Sequence, residues 1–495
     1  MTLQLNLLEQ HLWGAANLLR GTVDSGDYKN YIFGLLFYKR LSDVWQEEYE
    51  QKLAEYGDPE LAADADEHRF DLPEAHHWSD IRKHTTNIGE HLNAALQAIE
   101  DANTKLRGIF QSVDFNNKER FTDALLERLL QHFEKYDMRN SSVEADLLGN
   151  AYEYLIKQFA DDSGKKGGEF YTPKEVVRLM VECLEIGEGM SIYDPTCGSG
   201  GMLLEAYRAV ERSGKNPRSL SLFGQERNMN TWAICQMNLF LHDIDDADVR
   251  RGDTLREPKH LVSEGSKAIR SFDRVIANPP FSLKEWGHSL WQSGDIYGRD
   301  VYGCPPAAYG DLAFVQHMLA SLNERGKLAV VVPHGVLFRA GAEGAIRKAF
   351  IEHDLIEGVI GVAPNLFYGA SIPAAILFLR KQKPEHMRGK VMIVNGAEQY
   401  EEGRAQNYLQ DDDIKTLSEA YLAFENVDRL AAVVSASEIA ANDYNLNITR
   451  YVNLGEAAEQ IDVATEVERL MELVAERDAA EQKMTQYLQE LGYVQ

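Results

Sequence analysis

The residues with the clearest capacity for chemistry lie in Ser271-Phe-Asp-Arg-Val-Ile-Ala-Asn-Pro-Pro-Phe281. A short apolar strand (Val275, Ile276, Ala277) stops at Asn278, Pro279, Pro280 and Phe281. Proline donates nothing to a sheet ladder, so Pro279 marks the strand's carboxyl end. In open α/β sheets that end is where ligands bind. A side-chain amide, main-chain carbonyls beside two prolines and one aromatic ring suit a planar base with an exocyclic amine. Asn278 can accept one amine hydrogen, a main-chain carbonyl the other, and Phe281 can stack on the ring. Taken alone, the same four residues also describe a strand exit with a polar stop, so their neighbours must decide.

An earlier strand ends in Asp194-Pro-Thr-Cys-Gly-Ser-Gly-Gly-Met202 and runs into a helix. Glycines allow a tight turn and close approach to a ligand. The run is not GxGxxG, because Leu203 holds the third glycine position, so a dinucleotide pyrophosphate is not its natural ligand. Asp194, with Thr196, Gly198, Ser199, Gly200 and Gly201 behind it, suits a ligand with an amino group. Glu226 ends the next strand, 25 residues past Gly201, where a carboxylate can accept both ribose hydroxyl hydrogens. Asp253 ends the third, placed for the amino group of an adenine. An amino acid, a ribose and an adenine together make S-adenosylmethionine.

At this point the chain resembles class I methyltransferases, and specifically the amino-N6 adenine DNA methyltransferases. Asp194 to Gly201 is similar to their cofactor motif, and Asn278-Pro-Pro-Phe281 to their catalytic motif. Glu169-Phe170-Tyr171-Thr172-Pro173-Lys174 resembles the family's additional cofactor segment. Cofactor motif before catalytic motif is the γ arrangement, and the resemblance implies that Tyr171, Thr172 and Pro173 line the methionine side. The N6 lone pair of adenine is delocalised into the ring and is a poor nucleophile. Accepting both N6 hydrogens, at Asn278 and the Pro279 carbonyl, favours a pyramidal nitrogen that can attack the sulfonium methyl directly. Cytosine-C5 transfer needs an activated cysteine following a proline, whereas Cys304 precedes Pro305.

These residues require a scaffold of strands ending on one side. From about residue 169 the pattern alternates. Strands are predicted at Ser191–Asp194, Leu220–Glu226, Asp248–Asp253, Arg274–Asn278, Lys327–Pro333, Leu355–Val362 and Pro373–Arg380. Helices fall between them at Gly201–Arg212, Asn228–His242, Leu312–Asn323 and Ala342–Ile351. Such alternation predicts an α/β fold, Rossmann-like, with a mostly parallel seven-stranded sheet covered by helices. Residues 1–145 carry helical periodicity, as in Leu5, Leu8, Leu12, Ala15 and Leu19, and are expected to form an N-terminal helical domain, with partner or DNA contact as its expected role. The catalytic domain is expected over 146–395. Strand signals weaken beyond Val394, and 396–495 is expected to be an acidic helical region for subunit assembly. Its end carries an apolar stripe (Val463, Val467, Leu470, Met471, Val474, then Met484, Tyr487, Leu488, Leu491) on an acidic helix.

The net charge of −27 over 495 residues is awkward for a protein that grips DNA by itself. Between Gly396 and Gln495 stand 21 acidic against 7 basic residues, a net of −14, so about half the excess is terminal. No region between Phe281 and Asp311 is large or basic enough to read base edges in a groove. The whole architecture resembles the modification subunit of type I restriction–modification systems. Segments that carry this include Leu12-Trp-Gly-Ala-Ala-Asn-Leu-Leu-Arg20, Tyr31-Ile-Phe-Gly-Leu-Leu-Phe-Tyr-Lys-Arg-Leu-Ser-Asp43 and Asp443-Tyr-Asn-Leu-Asn-Ile-Thr-Arg-Tyr451. The resemblance implies two such subunits on one DNA-specificity subunit, a motor-nuclease (restriction) subunit that joins them, and double-stranded DNA as substrate. A stand-alone adenine methyltransferase, or a methyltransferase of protein glutamine amides, remains open at this point. The four cysteines lack CxxC spacing and suggest reduced thiols in a cytoplasm. No metal is expected, and His68, His76, His77, His84 and His91 read as solvated surface. No run of apolar residues is long enough for a membrane span, and the first residues do not read as a signal peptide.

Overall fold

The computed structural model describes residues 4–23, 28–143, 145–163, 172–367, 373–403 and 406–453, and beyond them 471, 473–474, 477–478, 480–481 and 483–484. Met1–Val452 forms one compact unit and Asn453–Gln495 a second.

The chain begins with helices α1 (Leu5–Leu19), α2 (Tyr28–Tyr56), the single turns α3 (Pro59–Ala62) and α4 (Trp78–Ile81), then α5 (Ile88–Ala102), α6 (Asp123–Glu134) and α7 (Ala145–Ser163). α6 starts cleanly because the Thr122 side chain accepts from the Leu125 N–H at 3.2 Å. Its apolar residues Leu125, Leu126, Leu129, Leu130 and Phe133 recur at helical spacing and are all buried. Helix α8 (Lys174–Leu184) then leads into the sheet region.

Among the described residues nine strands form one sheet: β1 (Ser191–Asp194), β2 (Ser221–Glu226), β3 (Asp248–Arg251), β4 (Phe272–Ala277), β5 (Leu322–Pro333), β6 (Ile356–Gly361), β7 (Ala374–Arg380), β8 (Lys390–Asn395) and β9 (Ala431–Ser435). Their order is β3-β2-β1-β4-β5-β7-β6-β8-β9. The ladder β3-β2-β1-β4-β5 is parallel, and β7 runs antiparallel to both β5 and β6. The first seven strands include all seven expected from the sequence. β8 and β9 enlarge the sheet, β8 parallel to β6 and β9 antiparallel to β8. The seven-stranded expectation is therefore corrected to nine, and the sheet does not end at residue 395. β9 is a short, alanine-rich run whose identity depends on pairing with β8, which no local pattern announces. The connecting helices are α9 (Gly201–Arg212), α10 (Met229–Leu241), α11 (His288–Gln292), α12 (Asp311–Ala320), α13 (Ala342–Glu352), α14 (Asp411–Ala423) and α15 (Ala436–Ala441). α12 stops at Ala320, earlier than expected, because Leu322 already pairs with Phe272.

α10 ties the helical region to the sheet. Ala233, Ile234, Met237, Phe240 and Leu241 join the apolar core of α1, α2, α5, α6 and α7, while Cys235 and Leu239 join the core under the sheet. A helix apolar on both faces is what burial between two layers requires. The Tyr152 hydroxyl of α7 donates to the Ile234 carbonyl at 3.2 Å, adding a polar pin. A second pin lies in the sheet, where Glu357 (β6) faces Lys327 (β5) at 2.6 Å and Arg380 (β7) at 2.6 Å. The Tyr421 hydroxyl of α14 donates to Glu357 at 2.6 Å, so residues past 395 close over this buried charge.

His68 departs from the solvated reading. Its ring is buried, stacks on Trp45 at 4.5 Å and lies 2.8 Å from the Ala62 carbonyl. In the terminal unit the described residues from 471 to 484 are helical, with Met471, Leu473 and Met484 more than half exposed. Val463, Val467, Leu470, Tyr487, Leu488 and Leu491 lie outside the described residues.

Candidate active site

Strand order reverses between β1 and β4, and both strands end on the same side. β1 ends at Asp194 and β4 at Ala277, one residue before Asn278. A crevice at such a switch point is the expected ligand site of an open parallel sheet. A pocket of about 630 Å³, partly open to solvent, lies there. Thr172, Lys174, Asp194, Thr196, Gly198, Ser199, Gly201 and Asn278 line it, drawn from three separate stretches of sequence.

The turn after β1 is held by its backbone. Cys197 N–H donates to the Gln225 carbonyl at 3.0 Å and Gly200 N–H to the Cys197 carbonyl at 2.8 Å. Gly200 has φ +83°, and a Cβ there would sit 2.8 Å from the Cys235 sulfur. Glycine is required at that position by both conformation and space. Asp194 accepts the Thr196 N–H at 2.9 Å but forms no salt bridge among the described residues. Burial with no cation pushes its carboxyl up to about 8. Beside it the Thr196 hydroxyl and the Asn238 Oδ1 are buried with no hydrogen-bond partner. Orphaned acceptors around an uncompensated carboxylate match a ligand carrying an ammonium group.

Asn278 is oriented by the opposite wall. Its Nδ2 donates to the Thr172 hydroxyl at 2.9 Å. Its carbonyl Oδ1 is buried and has no partner. The amide is thereby turned so that an acceptor remains for a ligand's N–H. Phe281 is half-buried, edge-on to Phe367 with ring centroids 6.1 Å apart. The turn beyond it takes a left-handed residue, Ser282, at φ +51°, and the Ser282 N–H donates to Asp311 at 2.9 Å. Asp311 is itself 1% exposed, so this brace is internal.

Pro173, Gly200, Pro279, Pro280, Phe281, Glu226 and Asp253 are not among the residues lining this pocket. Glu226 borders it through Gly198, whose N–H it accepts at 3.1 Å, while its other oxygen accepts from Asn228 N–H at 2.7 Å. Burial raises its pKa. Asp253 lies two residues beyond the end of β3 at Arg251, rather than within the strand as expected. It accepts the Leu255 and Arg256 N–H groups at 3.1 and 3.2 Å, with Arg227 3.6 Å away. Glu169, Phe170 and Tyr171 lie outside the described residues.

Sequence reasoning missed Glu153, Glu205, Arg208 and Asn238, which also line the pocket. Gly201, Glu205 and Arg208 stand at i, i+4 and i+7 of α9, so helical spacing could have found the last two. Glu153 sits on α7, and no local pattern connects it to the site. Cys197 and Cys235, far apart in sequence, bring their thiols within 3.9 Å in the buried floor.

The N-6 DNA Methylase family profile matches residues 143–460, and the HsdM N-terminal domain profile matches residues 8–133. Curated relatives include several from Methanocaldococcus jannaschii. The type I restriction enzyme MjaIX methylase subunit is 30% identical over 98% of this chain and 91% of its own length. The MjaVII methylase subunit is 34% identical over 99% of this chain and 84% of its own length. A crystal structure of the type I restriction-modification system methyltransferase subunit from Streptococcus thermophilus superposes with a TM-score of 0.81 at 33% identity, covering 91% of this chain and 100% of that one.

Proposed function

The chain belongs to the N-6 DNA Methylase family as a type I restriction enzyme methylase subunit, and from that premise we propose how its pocket transfers a methyl group to adenine N6. The reaction is that of a site-specific adenine DNA methyltransferase, and the relatives favour neither a stand-alone enzyme nor a protein-glutamine methyltransferase. The observation that carries our reading is the orientation of Asn278, whose amide is engaged by Thr172 while its carbonyl is free.

The donor is S-adenosylmethionine, whose sulfonium supplies an electrophilic methyl group. Asp194 and the orphaned acceptors near it fit its ammonium, and Glu226 fits its ribose hydroxyls. Asp253 is assigned to the adenine amino group through Oδ2, since its turn-capping bonds from Leu255 and Arg256 both fall on Oδ1. Thr172, Pro173, Lys174, Thr196 and the glycine turn at Gly198–Gly201 complete the donor site, with Glu169, Phe170 and Tyr171 assigned by resemblance.

On the acceptor side, the target adenine leaves the duplex and stacks on Phe281. Asn278 Oδ1 accepts one N6 hydrogen and the Pro279 carbonyl the other. Pro280 keeps the backbone from continuing into the ladder. Both contacts strengthen as the nitrogen gains positive charge, so they stabilise the transition state more than the ground state. The N6–CH3 bond forms as the S–CH3 bond breaks, S-adenosylhomocysteine leaves, and the surplus N6 proton passes to solvent.

Partners follow from the same premise. Sequence choice is assigned to a DNA-specificity subunit that binds two copies of this chain, and a restriction subunit joins the assembly. Residues 1–145 and 396–495 are the proposed contact regions, with 146–395 as the catalytic segment, to whose sheet β9 from the last region adds an edge strand. No helix among the described residues is long and apolar enough to cross a membrane; we place the enzyme in the cytoplasm. The test is transfer of labelled methyl from S-adenosylmethionine to duplex DNA, with and without the specificity subunit. Incorporation only when both are present supports the account, and efficient transfer by the chain alone contradicts its dependence on a partner.

A further inference from the structure

We propose that Arg208 and Lys174 bind the carboxylate of the donor's amino-acid end and that Glu153, on helix α7, holds the two cations in place. The inference rests on the reading of this pocket as the S-adenosylmethionine site and adds residues from the helical region to it. One oxygen of Glu153, Oε2, accepts from Lys174 Nζ at 2.6 Å and from Arg208 Nη1 at 3.1 Å. Arg208 Nη2 donates to the Asn150 side chain at 2.7 Å, which leaves its remaining N–H groups for a ligand. Asn150 and Glu153 both belong to α7, Arg208 to α9 and Lys174 to the first turn of α8. Three elements thus meet at one charged cluster, and Glu153, Lys174 and Arg208 all face the donor pocket.

The charges identify the ligand group. Two cations share one carboxylate that is 5% exposed, leaving one positive charge without a partner in the cluster. The same pocket holds the opposite feature. Asp194 forms no salt bridge among the described residues, and Asn238 Oδ1, on a side chain 1% exposed, has no hydrogen-bond partner. A zwitterionic amino acid satisfies both at once, its carboxylate at Arg208 and Lys174 and its ammonium at Asp194 and Asn238. Arginine is suited to this task because its planar fork matches a carboxylate. A purely structural cluster would clamp α7 to α9 and treat every ligand alike.

Calorimetric titration of the full chain with S-adenosylmethionine and with its decarboxylated analogue separates the two cases. The analogue keeps the adenosine, sulfonium and amine and lacks only the carboxylate. Wild-type chain should favour the complete donor by about 10- to 100-fold, the usual scale for hydrogen bonds to a charged group. Arg208→Met should remove most of that preference while leaving affinity for the analogue unchanged, and Lys174→Met should act in the same direction. Arg208→Lys, which keeps the charge, should retain part of the preference and serves if the methionine variant does not fold. Glu153→Gln should narrow the gap through misplacement of both cations, again with analogue affinity unchanged. Equal weakening of both ligands, or unchanged donor binding in Arg208→Met, overturns the assignment. A wild-type chain that binds neither ligand contradicts the donor site itself.

Discussion

Asn278 donates its side-chain N–H to the Thr172 hydroxyl across 2.9 Å, although 106 residues separate them in sequence. The contact joins the residue assigned to adenine with the segment assigned to the methyl donor. It also decides which end of the amide is offered to a base. Thr172→Val keeps shape and loses the hydroxyl, so Asn278 should rotate more freely. Methyl transfer should fall by about 10-fold or more, on the scale of one lost hydrogen bond, while Thr172→Ser should retain most activity. Single-turnover rates at saturating donor check this. An unchanged rate in Thr172→Val would remove Thr172 from the account.

Asp194 links stability to pH in the opposite sense to a paired carboxylate. Its folded pKa is raised to about 8, from a usual value near 3.8. Between those values the folded chain keeps a proton that the unfolded chain releases. The contribution of this group to stability is therefore lost as pH rises from about 4 through about 8. Asp194→Asn cannot ionise, so its thermal midpoint without donor should exceed that of wild type at pH 8 and converge with it at low pH. Donor binding should move the other way, strengthening with pH in wild type as the carboxylate forms, and falling about 10- to 100-fold in Asp194→Asn. Melting curves and titrations at pH 6 to 9 read both effects.

Glu357, Lys327 and Arg380 form a buried ion cluster far from the chemistry in sequence and function. Removing one partner leaves uncompensated charge in the interior, which costs about 3–5 kcal/mol. Glu357→Ala should therefore lower stability by that order, measured by urea unfolding. Replacing Glu357 and Lys327 together with apolar residues should recover a large part of it. Tyr421→Phe should cost less, since it removes only a donor to Glu357.

Gly200 is the position where the donor turn tolerates least. Alanine there meets both the left-handed backbone and the Cys235 sulfur at 2.8 Å. Gly200→Ala should weaken donor binding measurably, and pairing it with Cys235→Ala should restore part of the loss by relieving the contact. Titration of the single and double variants gives the coupling directly.

Much of this site is legible in the residues themselves. Asn278 at a strand exit and Asp194 before a glycine turn are local patterns, and the structure puts both on one pocket. Asp253 shows the limit of strand-end reasoning, since β3 stops two residues short and the carboxylate caps a turn instead. Glu153 marks another limit. It reaches the pocket because α10 packs the helical region against the sheet, a tertiary fact with no counterpart in spacing. β9 was invisible for a similar reason: Ala-Ala-Val-Val-Ser is too short to announce a strand without β8 beside it. Helical residues 201, 205 and 208 were readable and show that periodicity can locate a pocket face as well as a core face.

The most direct test of the central claim is single-molecule sequencing of DNA from cells that carry this chain with its specificity subunit. The account expects N6-methyladenine at one defined sequence, present with the wild-type pair and lost with Asn278→Ala, while the variant still binds S-adenosylmethionine. Adenine methylation that survives Asn278→Ala, or modification at cytosine C5 instead, would contradict it.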